Sequence, residues 1–179
     1  MNGAAAGAAG AQASFSGGLI QNYRGTVTGV TNGVPNVSGG TIQSNSAQAA
    51  LVANVGGVVN ISGGLVQSAS GAAIVGSEGS ALSLSGGTVS GLASRTFGVV
   101  LDNAGVAADL HGGTIHGGLR ADRYNVNSPA LQATLSGGLT LNGGAFALGG
   151  AALDISGATT PLTPAAAHTF LRLAAAASR

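Results

Sequence analysis

The chain has 179 residues, of which 45% are apolar and 6% are charged, with a net charge of +1 and no cysteine. This composition excludes disulfides and thiolate metal sites, and it lacks the basic stripe with which nucleic-acid-binding proteins neutralise phosphates. No run of about 18 apolar residues predicts a membrane-spanning helix. Val, Ile and Leu at regular positions, with aromatic residues at only 3%, predict a thin, layered core of small aliphatic side chains rather than disorder.

Residues 1–10 are a low-complexity segment of mainly alanine and glycine. They contain neither the positively charged region nor the apolar region of a secretory signal peptide. We expect a poorly ordered start or an incomplete first coil, and an exported protein would carry its targeting segment upstream of residue 1.

A short motif recurs along most of the chain and is the strongest pattern in the sequence. It consists of Ser-Gly-Gly followed by Leu or Thr and then, usually, Ile or Val, and one copy has His in place of Ser. The first residues of the six copies are Ser16, Ser38, Ser62, Ser85, His111 and Ser136. The steps between them are 22, 24, 23, 26 and 25 residues, a regularity typical of a solenoid with one coil per repeat.

Within each repeat the local pattern is that of short strands. Apolar and polar residues alternate before the glycines, as in residues 81–85, and a second extended piece follows them, as in residues 41–44. A third apolar piece, such as residues 49–52, completes the unit. Three strands and three tight corners account for one coil, which predicts an all-β, three-faced parallel β-helix of about six coils.

The glycine pair fits a corner where the chain turns sharply through a positive φ angle. The Ser/His positions would then form a ladder along this corner, where hydroxyls bond the backbone of neighbouring coils. A second polar column is predicted eight residues upstream of the motif, and its members are Asn54, Ser77, Asn103 and Ser128. We interpret both columns as structural.

Thr41, Thr88 and Thr114 recur after the glycines, as on an ice-binding face. In this alignment Leu19, Leu65 and Leu139 interrupt the column, which argues against ice binding. Glycan binding along the polar columns is the more credible alternative.

Charges gather in one of the two longest repeats, at residues 120–128. We predict a projecting loop there, because loops carry binding functions more often than the scaffold does. The candidate binding residues are Arg120, Asp122, Arg123, Tyr124 and Asn125.

Beyond residue 157 the repeat pattern ends. Thr163 as N-cap and Pro164 at the first helical position predict a helix over residues 165–178, which could cover the last coil. The alternative is a strand of a further coil at residues 168–173. The predicted division is therefore a low-complexity segment at 1–10, a β-helix at 11–157 and a cap segment at 158–179.

The spacing and the Ser-Gly-Gly-Thr-Val/Ile units over residues 11–157 resemble the pertactin-like passenger domains of Gram-negative autotransporters. The resemblance implies a right-handed β-helix exported by type V secretion. It further implies an extracellular or cell-surface domain in adhesion, aggregation or virulence, with the family's outer-membrane barrel outside this sequence. The implied partners are a host or bacterial surface component, a second copy of the chain, or a glycan.

Parallel β-helices also include polysaccharide lyases and glycosidases, which use carboxyl groups for acid–base chemistry. The one charged cluster that could serve such a reaction combines Asp102 and Asp122 with Arg120 or Arg123. We expect a salt-bridged surface patch there and no catalysis, and keep the carbohydrate-active enzyme as the rival hypothesis.

No cofactor or metal site is predicted. His111 and His116 flank one glycine pair, with Asp109 nearby, but both histidines occupy positions that other repeats fill with Ser or Gln. They are interpreted as surface substitutions.

Overall fold

The computed structural model describes residues 11–94, 96–103, 105–122 and 129–158, with the backbone alone for residues 155–158. In this part of the chain the protein consists of strands and turns without a helix. The strands are β1 (Gln12–Asn22), β2 (Thr28–Thr31), β3 (Val34–Ser44), β4 (Leu51–Asn54), β5 (Val58–Ile61), β6 (Leu65–Ser68), β7 (Ile74–Ser77), β8 (Ala81–Gly91), β9 (Val99–Asp102), β10 (Ala107–His116), β11 (Leu119–Asp122), β12 (Gln132–Gly137), β13 (Thr140–Asn142), β14 (Ala145–Leu148) and β15 (Ala152–Ala158).

All strand pairs are parallel and join successive repeats, so the chain is a β-solenoid of six coils followed by the first strand of a seventh. Each coil has three limbs: one before the Gly-Gly pair, one after it, and a third beyond the next corner. The first two limbs form one large sheet that bends at the glycines, and the third limb forms a six-stranded sheet in the order β14-β11-β9-β7-β4-β2. Seven levels at the strand spacing make the large sheet roughly 29 Å tall.

The core consists of aliphatic side chains stacked in columns. In the second limb, one residue of each coil points inward and lies in register with its neighbours above and below. This column contains Ile20, Ile42, Val66, Val89, Ile115 and Leu141. Its members from Ile42 to Leu141 are at most 1% exposed. Each contributes on the order of 1.5–3 kcal/mol by burial, so the columns supply most of the driving force for stacking.

The Gly-Gly corner has two requirements, of which the sequence suggested one. The second glycine has a positive φ angle, 80° at Gly87, which only glycine adopts without strain. The first glycine presses against the preceding coil, because a Cβ atom on Gly86 would lie 2.5 Å from the carbonyl oxygen of Ser62. Gly39, Gly63 and Gly112 have the same contact with the coil below them. The turn therefore requires the second glycine of the pair, and the close stacking of coils requires the first.

The corner between the second and third limbs changes in length along the rod. It takes five to seven residues in the first four coils, for example residues 92–98 in coil four. In coils five and six it shrinks to Gly117–Gly118 and Gly143–Gly144. Gly117 and Gly118 both have φ near +90°, which permits this short connection.

Buried hydroxyls satisfy the backbone at the longer versions of this corner. Ser68 is fully buried, donates a hydrogen bond to the carbonyl of Gln48 (3.0 Å) and accepts one from the amide of Gly71 (3.0 Å). Ser44, one coil below, donates to the carbonyl of Gly25. These serines stabilise the path of the corner, because each supplies a hydrogen-bond partner that the loop backbone would otherwise lack.

The predicted parallel β-solenoid of about six coils is confirmed. One detail of alignment is wrong: Thr140, and not Leu139, lies in register with Thr114. The sixth corner is shifted by one residue, and Leu139 turns into the core, where it is 1% exposed. Residues 1–10 and the predicted cap at 159–179 lie outside the described residues. No helix in the described part of the chain is long and apolar enough to cross a membrane.

Candidate functional site

The outer surface of the six-stranded sheet carries a polar column that ends in two carboxylates. Its members, from coil one to coil five, are Thr31, Asn54, Ser77, Asp102 and Asp122, and Leu148 takes the same position in coil six. Ser77 donates a hydrogen bond to the Asn54 amide oxygen (3.0 Å), so the column is tied together across coils. The predicted column placed Asn103 here, which is wrong. Asp102 occupies the position, and Asn103 follows in the turn with φ 81°.

Arg120 and Asp122 are strand residues and do not belong to a loop, so this part of the loop prediction is wrong. They alternate on β11 with Leu119 and Ala121, whose side chains are fully buried. This period-two pattern places Arg120 and Asp122 on the outer face of the sheet. The other candidate binding residues, Arg123, Tyr124 and Asn125, lie outside the described residues.

Arg120 is the centre of a small cluster, which we call the charged patch: Phe97, Asp102, Arg120, Asp122 and Phe146. The guanidinium of Arg120 lies 3.5 Å from the Asp122 carboxylate and 6.0 Å from the centroid of the Phe97 ring. Phe97 meets Phe146 edge-on, with ring centroids 5.6 Å apart. The patch holds three of the seven charged residues in the described part of the chain.

The change in corner length creates the patch. Residues 96–98 of coil four lie against the short corner of coil five, where a Cβ on Gly117 would lie 2.5 Å from the Thr96 carbonyl oxygen. In coil six, a Cβ on Gly144 would lie 2.7 Å from the Phe146 ring. The glycine corners therefore leave the space in which Phe97 reaches the outer face of the following coils.

Asp102 and Asp122 are neighbours in register on adjacent strands, whose backbones are about 4.8 Å apart. Burial raises the pKa of the Asp102 carboxyl above its ordinary value of 3.8, Arg120 lowers this pKa, and the charge of Asp122 raises it. The Oδ1 atom of Asp102 has no hydrogen-bond donor among the described residues. The pair thus combines a carboxyl group whose pKa is raised by burial with a carboxylate that lies beside an arginine.

The predicted serine ladder occupies the exposed Gly-Gly corner. Ser38 donates a hydrogen bond to the carbonyl of Phe15 (3.4 Å) and Ser85 to that of Ile61 (3.3 Å), each in the preceding coil. Ser16 and Ser62 lie on the same exposed edge, and Ser136 is partly buried. His111 continues the edge.

The two histidines lie on different limbs. His111 Nδ1 lies 3.3 Å from the Asp109 carboxylate, whereas His116 Nδ1 lies 3.2 Å from the side-chain amide of Asn142. The described residues contain no group of three or more His, Asp or Glu side chains that could hold a metal ion.

The aromatic half of the charged patch was not predicted from the sequence. Phe97 and Phe146 are far apart in the chain, and Phe97 comes from a corner whose length differs from that of the next coil. The shortening to Gly117–Gly118 was the one readable indication. It shows that the third limb begins immediately after the glycines.

Comparison with known proteins gave no match. No protein-family model matches the chain, and no match was found among curated proteins or solved structures.

Proposed function

We propose that this chain is an exported structural or adhesive solenoid, of the kind displayed or released by autotransporters. The observation that carries the proposal is the network of uncharged side chains joined across coils on the outer surface. Asn60 donates to Asn36 (2.9 Å) and Gln67 donates to Gln43 (2.8 Å), each one coil below. Side chains that bond to one another reinforce a stiff rod, which suits a protein that presents a long surface.

The cellular location and the partner follow from the resemblance in the sequence. The protein acts outside the cell or on the bacterial surface, and it binds a host or bacterial surface component or another copy of itself. A chain without cysteine agrees with passage through an envelope in an unfolded state, because no disulfide can form on the way.

The test is binding of the labelled chain to host-cell and bacterial surfaces. We expect saturable binding without chemical change of the surface. Saturable binding that persists in 1 M salt would indicate uncharged contacts, since salt at this level screens exposed charges beyond about 3 Å. Absence of saturable binding on every surface would contradict the adhesive function.

The rival function is a carbohydrate-binding or carbohydrate-active protein, and the Asp102–Asp122 pair favours it. Retaining glycosidases use two carboxyl groups about 5–5.5 Å apart, one of them with a raised pKa. Phe97 and Phe146 add apolar surface on which a sugar ring could stack.

Turnover separates the two functions. The wild-type chain and the variant with Asp102→Asn, Arg120→Gln and Asp122→Asn together are incubated with a panel of polysaccharides, and new reducing ends and unsaturated products are measured. We expect no product from either chain. Product that disappears in the triple variant, but not in an Arg24→Gln control at an exposed site, would establish the enzyme instead.

A further inference from the structure

The two ends of the large sheet are strand edges. Among the described residues, β1 pairs only with β3, and β15 pairs only with β12. Each of these strands has a second side that no described strand occupies. Such edges are templates for pairing with another chain.

The sequences of these two edge strands resemble those of β12 and β10, two strands that pair with each other inside the protein. Residues 12–19 of β1 read Gln-Ala-Ser-Phe-Ser-Gly-Gly-Leu, and residues 132–139 read Gln-Ala-Thr-Leu-Ser-Gly-Gly-Leu. Residues 152–157 of β15 read Ala-Leu-Asp-Ile-Ser-Gly, and residues 107–112 of β10 read Ala-Ala-Asp-Leu-His-Gly. Because β10 stacks directly below β12, β15 of one molecule has the sequence to stack below β1 of another.

The first coil keeps a glycine for which the described residues of one molecule give no steric need. A Cβ atom on Gly17 would have no atom of the described residues within 4 Å, and Gly17 does not have a positive φ angle. In the coils above, the equivalent glycine presses on the serine carbonyl of the coil below, as Gly86 presses on Ser62. Gly17 therefore has the shape required to receive one more coil.

The same end of the rod exposes apolar surface that inner coils bury. Phe15 is only partly buried, whereas Val37, its neighbour one coil above, is 1% exposed. Ile20 is likewise only partly buried, whereas Ile42 above it is 1% exposed. Residues 1–10 contain no Val, Ile or Leu, the residue types that form the core column of the second limb.

We infer that the partner of this edge is a second copy of the chain, stacked end to end with β15 of one molecule below β1 of the next. The register of the internal pair gives Ala152 opposite Gln12 and Asp154 opposite Ser14. The contact joins two different surfaces and the levels continue along one axis, so repetition builds an open filament. The seven strand levels of the described residues give an axial repeat of roughly 34 Å. This inference rests on the proposed structural function and names its partner.

The first experiment measures the mass of the full chain against concentration by light scattering, with electron microscopy of the same samples. We expect mass to rise with concentration and filaments with the predicted repeat. Gly17→Val should weaken association at least tenfold, because the side chain meets the serine carbonyl of the neighbouring molecule. Gly29→Val is the matched control: it lies in the same coil on the side of the rod, without an atom of the described residues within 4 Å of its Cβ.

The second experiment identifies the two edges in contact. The chain has no cysteine, so one protein carrying Gln12→Cys and another carrying Ala152→Cys each hold a single thiol. Facing residues on adjacent parallel strands are about 4.8 Å apart, within the Cα range of a disulfide. Oxidation of the mixture should give the mixed disulfide dimer and little of either homodimer.

A wild-type chain that stays monomeric at all concentrations would overturn the inference and leave the adhesive function to its own binding test. Equal association of the wild type and Gly17→Val, or equal yields of all three disulfide dimers, would also overturn it. Filaments without saturable surface binding would support the inference and limit the proposed function to assembly.

Discussion

Adding one methyl group at Gly86 tests whether close stacking of coils requires the corner glycines. A Cβ atom there would lie 2.5 Å from the carbonyl oxygen of Ser62, about 0.5 Å inside the shortest contact that such atoms make. The atom in the way is backbone, so relief requires the two coils to separate. We expect Gly86→Ala to destabilise the fold, with loss of both packing and ladder hydrogen bonds near this corner.

The magnitude is the difference between two opposing effects. Overpacking against a rigid neighbour costs typically about 1–3 kcal/mol. Replacing glycine by alanine also restricts the unfolded chain, which stabilises the folded state by about 0.4–1 kcal/mol where the folded conformation suits alanine. The free energy of unfolding should therefore fall by up to about 2.6 kcal/mol in Gly86→Ala.

Gly17→Ala is the matched control, because Gly17 is the same position of the repeat without a described neighbour within 4 Å. Only the effect on the unfolded chain remains there, so this variant should be slightly more stable than the wild type. Both variants are unfolded in urea and followed by circular dichroism, at a protein concentration too low for association. Equal stability of the two variants would refute the argument that stacking requires the glycine.

The remaining predictions concern single side chains. Ser68→Ala should lower the free energy of unfolding by about 1–3 kcal/mol in urea melts, because the amide of Gly71 loses its buried partner. Ser62→Ala, at an exposed position, should change the free energy of unfolding by less than about 0.5 kcal/mol. Equal effects of the two substitutions would contradict the role of the buried hydroxyl. Arg120→Ala should cost about 1–2 kcal/mol by thermal melting through loss of the Asp122 pair and of packing on Phe97, and an effect no larger than that of Arg24→Ala would count against the charged patch. The pKa of Asp102 is raised on folding, so the folded state holds this proton more firmly and wild-type stability should decrease as the pH rises from the ordinary carboxyl range through the raised value. Asp102→Asn should remove that decrease and be the more stable protein at neutral pH in melts from pH 3 to pH 8, and a parallel pH profile for the two chains would show that Asp102 titrates normally.

The fold could be predicted because the same corner and core positions recur in successive repeats of the sequence. The Ser-Gly-Gly motif marks one corner in every coil, and the aliphatic residue two positions after the pair marks a core column, as at Ile42 and Ile115. The regular spacing of these corner and core positions indicates one coil per repeat, with equivalent positions stacked in columns. The alignment failed at Leu139, where the corner shifts by one residue and the motif itself does not reveal the shift.

The charged patch could be predicted only in part, because its members come from three coils. Asp102, Arg120 and Asp122 are visible as charges in a nearly uncharged chain. The face of the sheet on which Arg120 and Asp122 lie depends on where β11 begins, and the short Gly117–Gly118 corner sets this start. Phe97 joins them only because its own corner is longer than the next one. Differences between repeats, unlike the repeat itself, do not follow from a consensus.

The stacking register is tested most directly by one distance along the rod. Spin labels are attached through Gln21→Cys and Asn142→Cys, which lie in one outward column, five strand steps apart. The labelled chain is diluted with unlabelled protein, and the separation is measured by pulsed electron paramagnetic resonance. The six-coil solenoid predicts a single peak in the distance distribution, centred near a backbone separation of roughly 24 Å and no wider than the flexibility of the two label linkers explains. A broad distribution, or a centre far from this value, would contradict the parallel stacking on which the account depends.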